Sequence, residues 1–153
     1  MTKHIQIYEN EIYEDDVAEI NSLLKQLSPN ESESINWETV QNVMKNATVF
    51  ILRDHSPEIL KGKPRGRIVG EGLLFHNWKF MFSTGSIDDV VVDEKYRGKG
   101  LGKILTYAMI EKAKKLGMKH IDCTSRPHRI VAHKLYEKAG FEKRDTNVFR
   151  LKL

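Results

Sequence analysis

The sequence predicts a single α/β domain in which helices cover a mixed β-sheet. Stretches with helical apolar spacing alternate along the chain with short runs rich in β-branched and aromatic residues. The length of 153 residues is usual for one domain, and no linker or internal repeat divides the chain. We therefore expect residues 1–153 to form one domain with the element order β-α-α-β-β-β-α-β-α-β.

The first third of the chain predicts a strand, two helices and a second strand. Residues 5–8 alternate between apolar and polar side chains, which is typical of a strand. Apolar side chains recur at helical spacing over 17–27, and a second helix follows Asn36, a residue type that caps helices, as far as Ala47. Residues 48–53 are rich in strand-forming side chains and predict the next strand.

The rest of the chain predicts the remaining sheet and two more helices. Residues 54–66 contain two prolines and two glycines and predict a loop. Residues 67–75 and 79–82 predict either one long strand or a hairpin that turns at His76 and Asn77. The other predicted elements are a strand over 86–93, a helix over 100–116, a strand over 119–124, a helix over 130–139 and a closing strand over 141–153.

Charge is distributed unevenly. Residues 95–153 carry 16 Lys and Arg against 5 Asp and Glu, a net +11, whereas residues 1–94 carry 9 against 16, a net −7; together they give the overall +4. A basic half favours a polyanionic partner, although solvated lysines on helix faces explain it too. We expect no nucleic-acid partner, because no helix-turn-helix or RNA-binding motif is present. We expect no membrane partner, because no run approaches the ~20 apolar residues of a span.

The single cysteine, Cys123, excludes an intramolecular disulfide and a multi-cysteine metal site. Together with the absence of a leader-like apolar segment, it favours a reducing, cytoplasmic location. His128 and His133 are five residues apart and do not form the i, i+4 pair of a helical metal site. We therefore expect no metal.

A glycine-rich turn between a predicted strand and a predicted helix is the sharpest local feature. Residues 97–103 read Arg-Gly-Lys-Gly-Leu-Gly-Lys, and such a turn brings backbone N–H groups and a helix N-terminus to a phosphate. The nucleotide-binding P-loop pattern fails because it needs glycine at Arg97 and Ser or Thr at Ile104. The dinucleotide pattern fails because it needs glycine at Lys103.

Two motifs together resemble the GCN5-related N-acetyltransferases. Arg97, Gly100 and Gly102 match that family's acetyl-CoA loop, Arg/Gln-x-x-Gly-x-Gly/Ala, and residues 90–96 look like its fourth strand and following turn. Residues 135–141, Leu-Tyr-Glu-Lys-Ala-Gly-Phe, are similar to its helix-to-strand signature. The resemblance in element order covers almost the whole chain and implies a sheet whose fourth and fifth strands splay apart.

The resemblance implies an N-acetyltransferase that moves an acetyl group from acetyl-CoA directly to a primary amine of a small molecule or peptide in a ternary complex. The alternative is a non-catalytic acyl-CoA-binding sensor or interaction module on the same fold. Residues 90–92 are expected to pair with the pantetheine arm as an added strand would, and residues 98–103 to hold the pyrophosphate. Arg129 stands where the family often has asparagine, and it either grips a CoA phosphate or is a surface arginine. The residues assigned to acetyl-CoA are Val90, Val91, Val92, Arg97, Gly98, Lys99, Gly100, Leu101, Gly102, Lys103 and Arg129.

The resemblance also assigns catalytic roles. Tyr136 is the expected acid that protonates the CoA sulfur, and Asp88 is the first candidate for a base that accepts the proton of the amine, directly or through water. Adjacent strand residues point to opposite faces, so only one of Asp88 and Asp89 is expected to face the cleft. Asp89 as the base, or no carboxylate base at all, stays open. The amide of Val91 is a candidate donor to the thioester carbonyl.

The acceptor amine is not identified by the sequence. In this family the first two helices frame the acceptor site, and here those segments are acidic, which favours a cationic amine while solvated helix faces explain the same charges. A homodimer stays open as well. The acidic residues are Glu14, Asp15, Asp16, Glu19, Glu31, Glu33 and Glu38.

Overall fold

The computed structural model describes residues 3–30 and 33–152. Over these residues the chain forms one five-stranded sheet and five helices, with helical layers on both faces of the sheet. The elements are β1 (Ile5–Glu9), α1 (Val17–Leu27), α2 (Trp37–Met44), β2 (Ala47–Asp54), α3 (Pro57–Leu60), β3 (Arg67–Trp78), β4 (Ser83–Val92), α4 (Leu101–Lys115), β5 (Ile121–Cys123) and α5 (Ile130–Lys138).

The strands lie in the spatial order β1-β2-β3-β4-β5, which is also their order in the chain. The first four strands pair antiparallel, and β5 pairs parallel to β4. The parallel pair needs a crossover connection, and α4 supplies it. The sheet is therefore mixed, as the sequence predicts, and the mixed α/β fold class is confirmed.

Alternation along the central strands divides the core into two layers. Phe50 and Ile51 are neighbours on β2, and both are almost fully buried, but they belong to different clusters. Ile51 packs with α1 and α2 on one face, whereas Phe50 packs with α4 on the other. Both faces of the central strands are covered, which explains why β2 is buried over its whole length.

Several predicted helix boundaries are confirmed by their capping residues. The side chain of Asn36 accepts a hydrogen bond of 2.9 Å from the amide of Thr39 and begins α2. Gly117 follows α4 with a φ of 65°, and Gly140 follows α5 with a φ of 92°. Such left-handed positions suit glycine, which is why both helices end where the sequence places a glycine.

The hairpin between β3 and β4 turns later than predicted. Residues 79–82 form the turn and not a strand, and the amide of Lys79 donates to the carbonyl of Phe82 at 3.0 Å. The side chains of Trp78, Phe80 and Met81 are exposed there. Near the same end of the sheet Ala47 begins β2 and pairs with Phe75, whereas the periodicity of α2 predicts that Ala47 is helical.

The closing strand predicted over 141–153 is wrong for the residues that the structure describes. Residues 141–152 form no strand, and Val148, Phe149 and Leu151 are 77%, 91% and 84% exposed. A strand is stabilised by ladder partners, and β5 offers only the short edge Ile121–Cys123. The polar run over 142–147 adds no apolar face that the core could bury.

None of the described helices combines the length and the apolar character needed to cross a membrane. The longest of them, α4, ends in a basic turn that contains Lys112, Lys114 and Lys115.

Candidate active site

The pairing of β4 with β5 is short and leaves one edge of β4 free. It begins at Gly85 and ends where Ile87 meets Cys123, and no further pairing with β5 is found in the described residues. On its other side β4 stays paired with β3 as far as Val92. The two strands therefore separate beyond Ile87, and the edge over residues 88–92 is open to an extended ligand.

A β-bulge interrupts β4 where this free edge begins. Leu73 on β3 faces Asp88, and Glu71 faces Val91, so β4 has one residue more than β3 between these pairs. Asp89 absorbs the extra residue with a φ of 50°, a left-handed conformation that aspartate tolerates better than most residues. The bulge bends β4 at the point where it leaves β5.

The bulge makes the predicted alternation of Asp88 and Asp89 wrong. Cross-strand partners share a face, so Asp88 lies on the face of Leu73. Asp89 lines a cavity that Leu73 also lines, so both aspartates lie toward the side of α1 and α2. The prediction assumed a regular strand, and one inserted residue removes that assumption.

The glycine turn leaves a row of amides without protein partners. Gly98 and Gly100 have φ values of 76° and 78°, and a Cβ at either position would meet no atom within 4 Å. The glycines are therefore needed for backbone conformation and not for close packing. Gly100 is the N-cap of α4 and offers no side-chain cap. Among the described residues, no acceptor pairs with the amides of residues 98–103, which is the arrangement that binds phosphate.

Two hydrogen bonds fix this turn to the end of the sheet. The Arg97 Nε donates to the carbonyl of Val92 at 2.9 Å, so the side chain predicted to bind CoA also holds the turn against β4. The hydroxyl of Tyr96 donates to the Oδ2 of Asp54 at 2.7 Å. The amides are consequently held in place before any ligand arrives.

The other predicted residues of the turn divide by exposure. Lys99 and Lys103 are exposed, and their ammonium groups lie 4.8 Å and 5.4 Å from the rings of Tyr96 and Tyr107. They add positive charge beside the free amides. The side chain of Leu101 is buried in the core, so only its backbone can contact a ligand.

Tyr136 lies on α5 within reach of groups from both separated strands. Burial raises the pKa of its hydroxyl to about 12; electrostatic interactions with Cys123 on β5 and Asp88 on β4 also raise it, while Arg129 opposes the rise. The ring packs 5.5 Å from the ring of Phe141. No described residue accepts a hydrogen bond from the hydroxyl, which stays protonated at neutral pH and can donate a proton.

The side chain of Arg129 is held at the C-terminal end of α1. Its Nη2 donates to the carbonyl of Leu27 at 2.8 Å, and its positive charge opposes the rise that burial causes in the pKa of both Asp89 and Tyr136. None of its described contacts is with the glycine turn. Its assignment to a CoA phosphate stays a prediction, and its observed position is beside the proposed reaction centre.

The remaining nucleophile and metal candidates do not form a site. Burial raises the pKa of the Cys123 thiol to about 11, and the charges of Asp122 and Asp88 add to this, so the thiol is not ionised at neutral pH. The Nε2 of His133 lies 3.0 Å from the carbonyl of Arg126. Within the described part of the chain, no three His, Cys, Asp or Glu side chains are close enough to hold a metal ion.

The acidic residues at the start of α1 are paired within the protein. Asp16 accepts 3.0 Å and 2.6 Å hydrogen bonds from the buried guanidinium of Arg53. Glu19 pairs with Lys63, and Asp15 pairs with Arg65. These three carboxylates have cationic partners already, so they add no free charge to the expected acidic rim. Of the other predicted acids, Glu14, Glu33 and Glu38 are exposed, and Glu31 lies outside the described residues.

A buried carboxyl that the sequence analysis missed lies nearby on β3. Glu71 is 3% exposed and lines a cavity of about 160 Å³ between α1, α2 and the sheet, together with Asp89. Its sequence signal is a lone acid within the run 67–75, which is buried from residue 68 to residue 74.

A second cavity, of about 400 Å³, lies beside α1 and α3. Its charged side chains pair with each other, Lys63 with Glu19 and Arg67 with Asp93.

Comparisons with known proteins agree with this geometry. The sequence profile described as the acetyltransferase (GNAT) family matches residues 15–141. A glucosamine 6-phosphate N-acetyltransferase of Trypanosoma brucei brucei is 39% identical over 82 residues, which are 52% of this chain and 54% of that protein. The chain spans about half the length of the curated relatives it matches.

Solved structures share the fold over nearly the whole chain. An acetyltransferase of Trypanosoma brucei has a TM-score of 0.76 at 26% identity and covers 97% of this chain and 99% of its own. The protein AAC(6')-Iy, solved with the bisubstrate analogue CoA-S-monomethyl-acetylneamine, has a TM-score of 0.73 at 16% identity, and the match covers 99% of both chains.

The residues matched by the family profile include the free edge of β4, the glycine turn and Tyr136. The chain belongs to the acetyltransferase (GNAT) family.

Proposed function

We propose that this chain transfers an acetyl group from acetyl-CoA to a primary amine of a small molecule or peptide. The observation that carries the proposal is the free edge of β4 over residues 88–92, which runs into an uncapped helix N-terminus. An extended pantetheine arm that pairs with this edge would bring its pyrophosphate to the free amides of residues 98–103. The family membership supports the same donor.

The chemistry is direct transfer in a ternary complex. A base removes one proton from the ammonium group, and the neutral nitrogen attacks the thioester carbonyl, so that a C–N bond forms. The C–S bond of the tetrahedral intermediate then breaks, and its electron pair leaves with the sulfur. Tyr136 supplies the proton that converts the thiolate to CoA thiol, and the nitrogen loses its second proton. The products are the N-acetylamine, CoA and one proton released to solvent.

Asp88 is the proposed base because of its position. It lies on β4 at the start of the free edge, and its charge is one of those that raise the pKa of Tyr136. Its side chain is half-buried, so a water molecule can connect it to the amine. The raised pKa of Tyr136 keeps its hydroxyl protonated at neutral pH, and a general acid must hold a proton to donate.

The test is release of CoA thiol from acetyl-CoA in the presence of a panel of amines. The panel includes glucosamine 6-phosphate and an aminoglycoside, because relatives and neighbours carry those names, together with alkylamines and lysine peptides. Amine-dependent thiol release supports the proposal. Binding of CoA without thiol release for any amine would indicate the non-catalytic acyl-CoA module, and failure to bind CoA would overturn both functions.

A further inference from the structure

Glu71 is a buried acid that has a carboxyl oxygen without a hydrogen-bond partner in the described part of the chain. It lies on β3 between Ile51 of β2 and Val91 of β4, in the middle of the sheet. Its Oε1 has no hydrogen-bond partner among the described residues. An unsatisfied buried polar atom is costly, so a group from outside the protein is the natural partner.

The space in front of this carboxyl is apolar. The cavity of about 160 Å³ is lined by Ile20 and Leu24 of α1 and by Val40 and Val43 of α2, and the acids among its described lining residues are Glu71 and Asp89. Because a water molecule takes up ~30 Å³ in the liquid, the cavity holds a chain of about five non-hydrogen atoms.

Asp89 connects this cavity with the proposed reaction centre. Its backbone forms the bulge at the start of the free β4 edge, and its side chain lines the cavity. Its neighbour Asp88 is the proposed base. A ligand in the cavity therefore lies beside the segment of β4 where the thioester is expected.

The charges in the cavity favour a cation. Burial raises the pKa of Glu71 to about 8, and the negative charge of Asp89 adds to this. Asp89 is exposed on one side, but its partial burial still raises its pKa. Asp88 adds to this rise, and Arg129 opposes it. A positive group beside Glu71 would offset both the desolvation of its carboxylate and the negative charge of Asp89 that disfavours its ionisation. A phosphate would instead meet two carboxylates of its own sign.

We propose that this cavity binds the acceptor as an alkylammonium ion, with its charged group on Glu71 and its apolar chain between α1 and α2. The identity of this ligand as the acceptor rests on the proposed acetyl transfer. Glu71 is then a specificity and positioning residue that selects a cation on a short unbranched chain. Free alkylamines and lysine side chains share this chemistry, whereas a phosphorylated amino sugar does not.

The experiment measures binding of n-pentylamine to the whole chain by calorimetry, without acetyl-CoA. The neutral analogue 1-pentanol, glucosamine 6-phosphate and Nα-acetyl-lysine methylamide are titrated in parallel. Glu71→Gln keeps the size of the side chain and removes its charge, and Glu58→Gln on the exposed face of α3 is the matched control. CoA affinity is measured for each variant, so that loss of the donor site is seen separately.

We expect Glu71→Gln to weaken n-pentylamine binding at least tenfold at pH 8.5 while CoA affinity and 1-pentanol binding stay unchanged. We expect Glu58→Gln to have no effect. Wild-type affinity for n-pentylamine should rise roughly tenfold between pH 6.5 and pH 8.5, because Glu71 ionises over that range while the amine stays charged. Comparison with the lysine derivative shows whether the cavity takes a free amine or a side chain.

Equal binding of n-pentylamine to wild type and Glu71→Gln would overturn the proposal, as would a glucosamine 6-phosphate affinity above that of n-pentylamine. Should Glu71→Gln fail to fold, Val43→Phe fills the cavity from a partly exposed position on α2. It must abolish n-pentylamine binding and keep CoA binding. Amine binding without acetyl transfer would sink the proposed function alone, and acetyl transfer that ignores Glu71→Gln would sink this inference alone.

Discussion

At the scale of single residues, Tyr136 is placed to act as the acid and not only to pack. Its ring contacts Phe141, while its hydroxyl has no described acceptor and a pKa raised to about 12 by burial. A residue that only packed would be equally well replaced by phenylalanine. The effect of replacing Tyr136 by phenylalanine therefore distinguishes an acid from a residue that only packs.

We expect Tyr136→Phe to lower kcat roughly 100- to 10,000-fold, the usual contribution of a general acid, and to leave CoA affinity unchanged. Phenylalanine keeps the ring and removes only the hydroxyl. Steady-state kinetics and a CoA binding isotherm measure the two effects. Tyr8→Phe on β1 is the control. If pre-steady-state kinetics showed an unchanged rate constant for acetyl transfer in Tyr136→Phe, Tyr136 would be only a packing residue.

The aspartate pair allows a second prediction at this scale. Asp88→Asn should depress kcat/KM most at low pH, and raising the pH should partly restore it because solvent then removes the proton of the amine. Asp89→Asn should instead raise the KM for the amine and keep the shape of the pH–rate profile. Asparagine tolerates the left-handed φ of 50° at position 89, so this substitution changes charge without changing the backbone.

The pH–rate profiles of wild type and the two variants check this prediction. If the low-pH loss followed Asp89→Asn, the base would be Asp89. If neither profile changed, the enzyme would draw on the free-amine fraction of its substrate and use no carboxylate of β4.

At the scale of elements, the N-terminus of α4 is the feature on which donor binding depends. We expect CoA at one hundred times its Kd to stabilise the wild-type fold by about 2.7 kcal/mol, which thermal unfolding detects. Gly100→Asp should remove this stabilisation because its carboxylate enters the row of free amides. Gly100→Asn has nearly the same size and the same backbone preference without the charge, so it should keep part of the effect.

Gly62→Asp is the control for an added surface charge, because a Cβ at Gly62 would also meet no atom within 4 Å. A CoA-dependent shift that survives Gly100→Asp would show that the pyrophosphate binds elsewhere. A shift lost equally in Gly100→Asn and Gly100→Asp would assign the loss to backbone strain and not to charge.

Elements defined by local signals could be predicted from the sequence. Asn36 and Gly117 act through their own backbone and side-chain chemistry, so the ends they mark are visible in a single chain. The glycine turn belongs to the same class. The closing strand over 141–153 could not be predicted correctly, because a strand depends on a partner edge and β5 supplies only three residues.

The candidate site likewise contains residues that have a local sequence signal and residues whose role depends on tertiary packing. The motif residues were found because their chemistry is local, but the bulge at Asp89 depends on how β3 and β4 pair, and a regular alternation hides it. Glu71 was missed because a lone acid in an apolar run has no local signature of function. Only the packing of α1 and α2 over the sheet shows that its Oε1 lacks a hydrogen-bond partner among the described residues.

At the scale of the whole molecule, Glu71 links the site to folding stability. Its folded pKa of about 8 lies above the ordinary value of 4.5, so the folded chain holds a proton that the unfolded chain releases. The contribution of Glu71 to the free energy of unfolding is therefore fully present below about pH 4.5, falls as the pH rises toward 8 and then levels off. The upper bound on this loss is on the order of 5 kcal/mol, from about 1.4 kcal/mol per unit of pKa difference.

Glu71→Gln should remove this pH dependence, since glutamine does not titrate. We expect wild type to lose stability relative to Glu71→Gln between pH 5 and pH 8.5, with urea denaturation of both proteins as the measurement. The difference cancels groups that titrate alike in both chains. Asp89 raises the pKa of Glu71 and is itself influenced by Asp88 and Arg129, so Asp89→Asn in each background shows how much of the slope the pair shares. Parallel pH profiles for wild type and Glu71→Gln would mean that Glu71 ionises freely in the folded chain, and the cavity would then have no buried acid to receive an amine. A steeper fall in wild type would show that the fold gives up stability at neutral pH to keep this acid in the core.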